Sequence, residues 1–275
     1  MKLAAAATVV PGSAAAASPF RLGLTPVFLD NDALVIDRLR SALSTALDTS
    51  IELVQRRTYQ EVTGLLLEGS VDAAWLCGYP FLQHRSVLSL IGVPVWRGSP
   101  RYQSYLIAAA DDDAAGLADL AGGTHAFADP DSNSGWLVTA SDLARMNQRP
   151  ESFFSRSVFT YGHRNVVRAV ASGLTRSGSV DGYVWEVLSA VEPDLTERTR
   201  IVTRSEWFGF PPFVARTAEL GDPRVAGFTE VLLNLSRTAE GRGALRLLHL
   251  DDIAIGDAAL FEGIAARMRV LGSDR

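Results

Sequence analysis

Apolar positions along the chain recur with two periods, one typical of buried strands and one typical of amphipathic helices. In the first part of the chain, short apolar runs of strand character lie at Phe20–Leu24, Ile51–Val54 and Val71–Leu76. The segments between them, Asp32–Leu47 and Tyr59–Glu68, carry apolar residues near helical spacing. Strands that alternate with helices in this way predict an α/β lobe with a mainly parallel sheet.

A second alternating series follows an acidic surface turn at residues 111–113. Its predicted strands are Thr124–Ala128, Phe154–Thr160 and Val180–Val184. The predicted helices between them are Gly135–Met146 and Asn165–Ser172. Strand-like segments at Arg200–Thr203 and Phe208–Val214 then return the chain to the first lobe, and a helical C-terminal part completes it.

The length of 275 residues suits two lobes of about 100–150 residues each. We therefore expect an α/β protein of two Rossmann-like lobes with mainly parallel sheets, joined by hinge strands. Residues 20–107 are predicted to form the first part of lobe 1 and residues 108–206 lobe 2, while residues 207–275 return to lobe 1 and supply the C-terminal helices.

Charge and motifs narrow the function to the binding of a small molecule. The formal net charge is −5 and the Lys and Arg residues are scattered, which argues against nucleic acid as a partner. The sequence carries no H-E-x-x-H, G-x-S-x-G or Walker A motif. Its single cysteine, Cys77, can form neither an intramolecular disulfide nor a Cys-rich zinc site. We therefore expect no catalysis, no metal and no cofactor.

The N-terminus has some features of an export signal. Met1-Lys2 precedes an Ala/Val stretch and the small residues Ala14–Ala17, although Pro11-Gly12 interrupts the apolar part. We interpret residues 1–19 as a degraded or re-engineered export segment.

The segment Ser132-Asn133-Ser134-Gly135 follows a predicted strand and directly precedes a predicted helix. The first N–H groups of a helix are unpaired and carry partial positive charge. Two hydroxyls, and a glycine that allows close backbone approach, would complete a cradle for an oxyanion. The alternative interpretation is that Ser132 or Ser134 only caps the helix.

Eight segments of this chain, in the same order, resemble motifs of one known family. They are Leu22-Gly23-Leu24-Thr25-Pro26, Arg57-Thr58-Tyr59, Gly69-Ser70-Val71-Asp72, Arg101-Tyr102-Gln103-Ser104-Tyr105, Leu117-Ala118-Asp119-Leu120, Asp129-Pro130-Asp131-Ser132-Asn133-Ser134-Gly135, Gly162-His163 and Val180-Asp181-Gly182-Tyr183. Over residues 20–255 the chain is similar to the periplasmic phosphonate-, phosphite- and phosphate-binding proteins of ABC transporters, which have the type II periplasmic-binding-protein fold.

The resemblance implies a set of ligand contacts drawn from both lobes. These are Tyr59 and Tyr102 from the first lobe and Ser132, Asn133, Ser134 and His163 from the second, with Asp181 facing the non-anionic end of the ligand. The sequence departs from the family at Asn133, where a threonine is usual, and at Arg164, where an acidic residue is more usual. For His163 a structural role in the core is the alternative.

The function implied by the resemblance is capture of a small oxyanion between the lobes for uptake through an ABC permease. The protein would act as a monomer in the periplasm or another extracytoplasmic compartment.

Cys77 leaves a second interpretation open. It lies at the carboxyl end of a predicted parallel strand, where open α/β sheets bind ligands. A lowered thiol pKa and exposure to the cleft would make it a soft ligand. The stretch from Ala74 to Pro80 also resembles the arsenite-binding sensor branch of the family, whose members signal to a histidine kinase. Cys77 could equally be an inert, buried thiol.

Overall fold

A computed structural model describes residues 18–26 and 33–272, and the predicted export segment lies almost wholly outside them. Along this part of the chain the strands are β1 (Phe20–Leu24), β2 (Ile51–Gln55), β3 (Ala73–Trp75), β4 (Leu88–Val95), β5 (Arg101–Tyr102), β6 (Ser104–Ala109), β7 (Thr124–Phe127), β8 (Arg156–Phe159), β9 (Ser177–Asp181), β10 (Thr199–Arg204), β11 (Phe208–Gly209), β12 (Phe213–Arg216) and β13 (Asp252–Ala254).

Helices alternate with these strands through most of the described chain. They are α1 (Ala33–Leu47), α2 (Tyr59–Leu67), α3 (Gly78–Gln83), α4 (Val138–Arg145), α5 (Pro150–Phe153), α6 (His163–Ala171), α7 (Gly182–Val191), α8 (Pro193–Thr196), α9 (Pro223–Leu233), α10 (Ala239–Leu247) and α11 (Glu262–Leu271). None of the described helices is long and apolar enough to span a bilayer.

The first lobe is built on a six-stranded sheet of order β13-β4-β12-β3-β1-β2. β1 pairs in parallel with β2 and β3, whereas β12 and β13 return antiparallel to their neighbours. Stacked aromatic pairs fill its core, with ring centroids 4.4 Å apart for Phe20 and Phe228 and 4.8 Å apart for Trp75 and Phe213. The sheet thus brings the carboxyl ends of three parallel strands to one edge.

The second lobe is built on a five-stranded sheet of order β10-β6-β9-β7-β8. β7 pairs in parallel with β8 and β9, and β6 runs antiparallel between β9 and β10. The short strands β5 and β11 pair with each other where the chain crosses between the lobes. The predicted two-lobed α/β class is confirmed, with sheets that mix parallel and antiparallel strands.

The chain enters the second sheet earlier than the sequence pattern predicted. β6 begins at Ser104 and pairs with β9, so the first crossing precedes residue 104 rather than falling at 107/108. The apolar run from Tyr102 to Ala110 gave no break that would divide β5 from β6. The two strands are separated by Gln103, whose carbonyl accepts a hydrogen bond from the Gly182 N–H.

Two predicted elements differ from the structure because side chains cap helices there. The predicted strand Val180–Val184 stops at Asp181, whose carboxylate accepts hydrogen bonds from the N–H groups of Tyr183 and Val184 and starts α7. The predicted helix Gly135–Met146 begins instead within one π-helical turn, Asn133–Leu137, which Ser132 caps, and α4 starts only at Val138. π-Turns of this kind are frequent at functional sites.

The C-terminal helix α11 joins the two lobes. It packs against α3 of the first lobe and α4 of the second. Arg267, which is 4% exposed, donates hydrogen bonds to the Val138 carbonyl and the Ser141 hydroxyl and pairs with Asp142 of α4 at 2.8 Å. Its guanidinium also pairs with Glu206 at 2.7 Å, close to the crossing between the lobes. Contacts from Arg267 therefore hold α4, the helix that follows the Ser-Asn-Ser segment, in position.

The different burial of two leucines predicts that the same substitution to alanine lowers the free energy of unfolding by different amounts. Leu232 of α9 is fully buried, whereas Leu174 is 70% exposed. Leu232→Ala should lower the free energy of unfolding by about 2–5 kcal/mol through lost burial and a residual cavity. Leu174→Ala should change it by less than about 0.5 kcal/mol. Urea denaturation measures both, and equal losses in the two variants would contradict this description of the core.

Candidate functional site

All eight residues singled out from the sequence meet between the two lobes. None of their side chains is more than 4% exposed. The eight residues are Tyr59, Cys77, Tyr102, Ser132, Asn133, Ser134, His163 and Asp181. Each lies at the end or the beginning of an element, so the two sheets and their helices fix its position. The burial of all eight side chains defines the candidate site as an enclosed, polar interlobe cleft.

The first lobe supplies the two tyrosines and the cysteine from three different elements. Tyr59 is the first residue of α2, which Thr58 and Glu61 start with a reciprocal capping box. Cys77 directly precedes α3, and Tyr102 is the last residue of β5. The three side chains come from positions far apart in the sequence and share one wall of the cleft.

The second lobe supplies the serine segment between β7 and the π-helical turn. Ser132 caps this turn, because its Oγ accepts the Gly135 N–H at 2.9 Å. The capping role does not use the hydroxyl proton of Ser132, which stays available for another acceptor. Gly135 is required by space: a Cβ there would lie 2.4 Å from the Ala128 Cβ and 3.0 Å from the Ser132 Oγ. Capping and anion binding are thus compatible at this segment.

The hydrogen bonds of His163 define its tautomer. The Asp181 N–H donates to His163 Nδ1 at 3.1 Å, so Nδ1 is an acceptor and the ring proton is on Nε2. His163 Nε2 lies 3.2 Å from the Tyr59 hydroxyl and donates to its oxygen across the cleft. The hydroxyl proton of Tyr59 is consequently free to point at a ligand.

Asn133 makes a second bridge between the lobes. Its backbone N–H donates to Cys77 Sγ at 3.3 Å, and its Nδ2 donates to the Tyr102 hydroxyl at 2.9 Å. Its Oδ1 is buried and accepts no hydrogen bond from the described residues. A buried acceptor without a donor lowers the stability of the folded state by about 1–3 kcal/mol. The described residues leave Asn133 Oδ1 in this unsatisfied state.

The site offers neutral donors rather than cations. Burial lowers the pKa of His163 to about 3, so that the imidazole is neutral near pH 7. Burial also raises the pKa values of Tyr59 and Tyr102 well above their ordinary value and that of Asp181 to about 7. None of the eight residues carries a permanent positive charge. The protons that these eight residues could offer to an anion belong to hydroxyl and amide groups.

Of the two interpretations left open for Cys77, the structure agrees with the inert, buried thiol. The sequence position suggested an exposed thiol with a lowered pKa, but Cys77 is 4% exposed and burial raises its pKa to about 12. Desolvation outweighs the hydrogen bonds from the N–H groups of Asn133 and Tyr79, which favour the thiolate. At neutral pH the sulfur is a protonated thiol that accepts one N–H across the cleft.

Asp181 and Arg164 take structural positions that the sequence did not indicate. One carboxylate oxygen of Asp181 caps α7, so only the other is left to face the cleft. Arg164 forms an ion pair with Glu192 within the second lobe, and the Glu192 carboxylate neutralises the extra positive charge beside His163. The site therefore gains no cation from the departure at position 164.

Two contributors were missed by the sequence reasoning. Asp129 is 2% exposed and accepts the Tyr59 N–H at 3.1 Å, which ties the start of α2 to the second lobe. Ser104 donates its hydroxyl to the Ser134 carbonyl at 2.7 Å. Asp129 lies within the motif quoted above, and the unpaired N–H of a first helical residue could have identified its role.

Comparisons with known proteins identify the family of this chain. Residues 22–261 match the family model described as the periplasmic substrate-binding protein of phosphonate ABC transporters. The chain is 30% identical over 149 residues to the phosphate-import protein PhnD of Mycolicibacterium smegmatis, a match that covers 50% of this chain and 46% of the relative. The aligned part thus spans about half the length of that relative.

Solved structures show the same fold. A binding protein component of an ABC phosphonate transporter from Pseudomonas aeruginosa superposes with a TM-score of 0.83 at 19% identity, covering 94% of this chain and 89% of that chain. PhnD1 from Prochlorococcus marinus, in complex with methylphosphonate, gives a TM-score of 0.79 at 18% identity, covering 92% and 98%. Because the family model extends over most of the sequence, the chain belongs to the family of periplasmic substrate-binding proteins of phosphonate ABC transporters.

Proposed function

We propose that this protein captures a small oxyanion of the phosphonate, phosphite or phosphate type in the interlobe cleft and delivers it to an ABC permease. The observation that supports this most directly is the gathering of neutral donors from both lobes around one buried segment, Ser132-Asn133-Ser134. The PhnD of M. smegmatis is named for phosphate import, and PhnD1 holds methylphosphonate. The ligand class proposed here includes both.

The proposed mechanism is closure of the lobes around the ligand. Tyr59 and Tyr102 on one wall and the serine segment on the other donate to the same oxyanion, while His163 holds the Tyr59 hydroxyl oxygen so that its proton is left for the ligand. A ligand held from both sides stabilises the closed arrangement over any open one by its difference in affinity for the two. The permease then recognises the closed form. We further propose that the protein acts as a monomer in the periplasm, without nucleic acid as a partner.

No observation favours the arsenite-sensing alternative. That interpretation depended on a reactive thiolate at Cys77, and the buried, protonated thiol lacks this character. The structural neighbour that is a histidine kinase sensor domain has a TM-score of 0.57 at 18% identity, which reflects the shared fold alone.

A thermal-unfolding panel tests the proposed function. It comprises phosphate, phosphite, methylphosphonate, 2-aminoethylphosphonate, sulfate and arsenite, each at matched ionic strength with chloride as the control. A ligand present at about 1,000 times its dissociation constant should add about 4 kcal/mol to the free energy of unfolding, because only the folded protein binds it. Stabilisation by at least one phosphorus oxyanion is expected. The absence of any shift with all phosphorus oxyanions would contradict the proposal.

The role proposed for the Tyr59 hydroxyl is tested by one matched pair of variants. Tyr59→Phe removes a donor to a charged ligand, worth about 1.5–3 kcal/mol, and should weaken binding about 10- to 150-fold. Tyr161→Phe makes the same chemical change at a side chain that is 37% exposed and packs against Arg57. This control should alter the dissociation constant less than about twofold. Isothermal titration calorimetry with the best ligand of the panel measures both, and unchanged affinity in Tyr59→Phe would exclude the contact.

A further inference from the structure

One polar atom of the site has no partner that the described protein supplies. Asn133 is fully buried, and its backbone N–H and its Nδ2 are already donated to Cys77 and Tyr102. Its carbonyl oxygen Oδ1 accepts nothing. An amide oxygen is an acceptor only, and the described residues offer it no donor, so a ligand that carries a proton can supply one.

We propose that Asn133 makes the site selective for the singly protonated, monoanionic form of its tetrahedral ligand, whose P–OH group donates to Asn133 Oδ1. This inference rests on the proposed function and specifies its substrate further: a phosphorus oxyanion that still carries one proton. The doubly ionised form and sulfate have no such proton to give.

The charges around the cradle favour the same protonation state. The titratable groups that face it from the surrounding elements are Tyr59, Cys77, Tyr102, Asp129, His163 and Asp181. Four of these are neutral near pH 7, and the remaining two are carboxyls that add negative charge when ionised. Arg267 reaches the first turn of α4 from the opposite side, at the Val138 carbonyl, not at the cradle side chains. A second negative charge on the ligand would therefore meet carboxylates without a facing cation.

The residue type at position 133 sharpens this selectivity. A threonine hydroxyl, which the resembled family carries at this position, can rotate to donate or to accept. The bond from Asn133 Nδ2 to Tyr102 orients the amide, and Oδ1 is then the polar atom of this side chain without a partner among the described residues. The departure from the family pattern thus replaces a hydroxyl, which can donate or accept, by an amide oxygen, which can only accept.

The test compares two ligands of nearly the same shape but different acidity. Calorimetric titrations of methylphosphonate and difluoromethylphosphonate are run from pH 5 to pH 9. The two ligands differ in acidity because fluorine lowers the second pKa of the phosphonate. If only the monoanion binds, the affinity for each ligand falls about tenfold per pH unit above that ligand's own second pKa. The two curves should then be displaced along the pH axis by the difference between the ligand pKa values.

The design separates the ligand's proton from the protein's own titration. Asp181 has a pKa raised to about 7 by burial, and its ionisation would also weaken anion binding as the pH rises. That loss would occur at the same pH for both ligands, and coincident curves would overturn the inference. Tighter binding of the dianion, as expected if the Asn133 amide were reversed with Nδ2 toward the ligand, would overturn it as well. The absence of binding of either phosphonate at any pH would overturn this inference, and it would overturn the proposed function only if phosphate and phosphite also fail to bind.

A variant assigns the selectivity to Asn133 itself. Asn133→Thr restores a hydroxyl that can donate, and its fold is checked by an unchanged thermal transition without ligand. The ratio of monoanion to dianion affinity should fall about tenfold in this variant, because the dianion regains a donor. A ratio equal to that of the unmodified protein would overturn the role of Asn133.

Discussion

The feature on which the rest of this structure depends is a buried polar cluster between the lobes, whose eight candidate residues include hydrogen-bond donors but no permanent cation. A charge removed from water is strongly destabilised unless other groups replace its hydration. Here that replacement requires groups from both lobes, since Tyr59 meets His163 and Tyr102 meets Asn133 only when the lobes are in contact. Under the proposed function, binding and closure would be one event, and the ligand would make the closed arrangement favourable.

The fold serves this cleft by placing element ends there. Tyr59 and His163 begin helices, Asp181 ends a strand, and Cys77 directly precedes α3. Helix starts provide unpaired N–H groups and partial positive charge, which stabilise an anion without introducing a mobile cation. Arg267 and the C-terminal helix fix α4 behind the cradle, so that the donors are held in position before a ligand arrives.

The sequence predicted the class of the fold and assembled the site residues, but not their chemistry. Alternating strand and helix periods sufficed for two α/β lobes, and the motif from Asp129 to Gly135 located the cradle. The state of Cys77 could not be predicted, because desolvation depends on tertiary burial that a strand end does not reveal. The capping role of Asp181 and the bond from Tyr59 to Asp129 likewise depend on contacts between distant segments. The unmet acceptor of Asn133 was detectable only once its other two polar groups were seen to be engaged.

The central claim is that donors from both lobes hold one oxyanion at the serine segment. It is tested most directly by a crystal structure of the protein with methylphosphonate. The account predicts phosphonate oxygens within hydrogen-bond distance of the Ser132 and Ser134 hydroxyls, with the Tyr59 hydroxyl on the same ligand and His163 Nε2 on the Tyr59 oxygen. A phosphonate bound outside the interlobe cleft, or held there chiefly by Arg or Lys side chains, would contradict it.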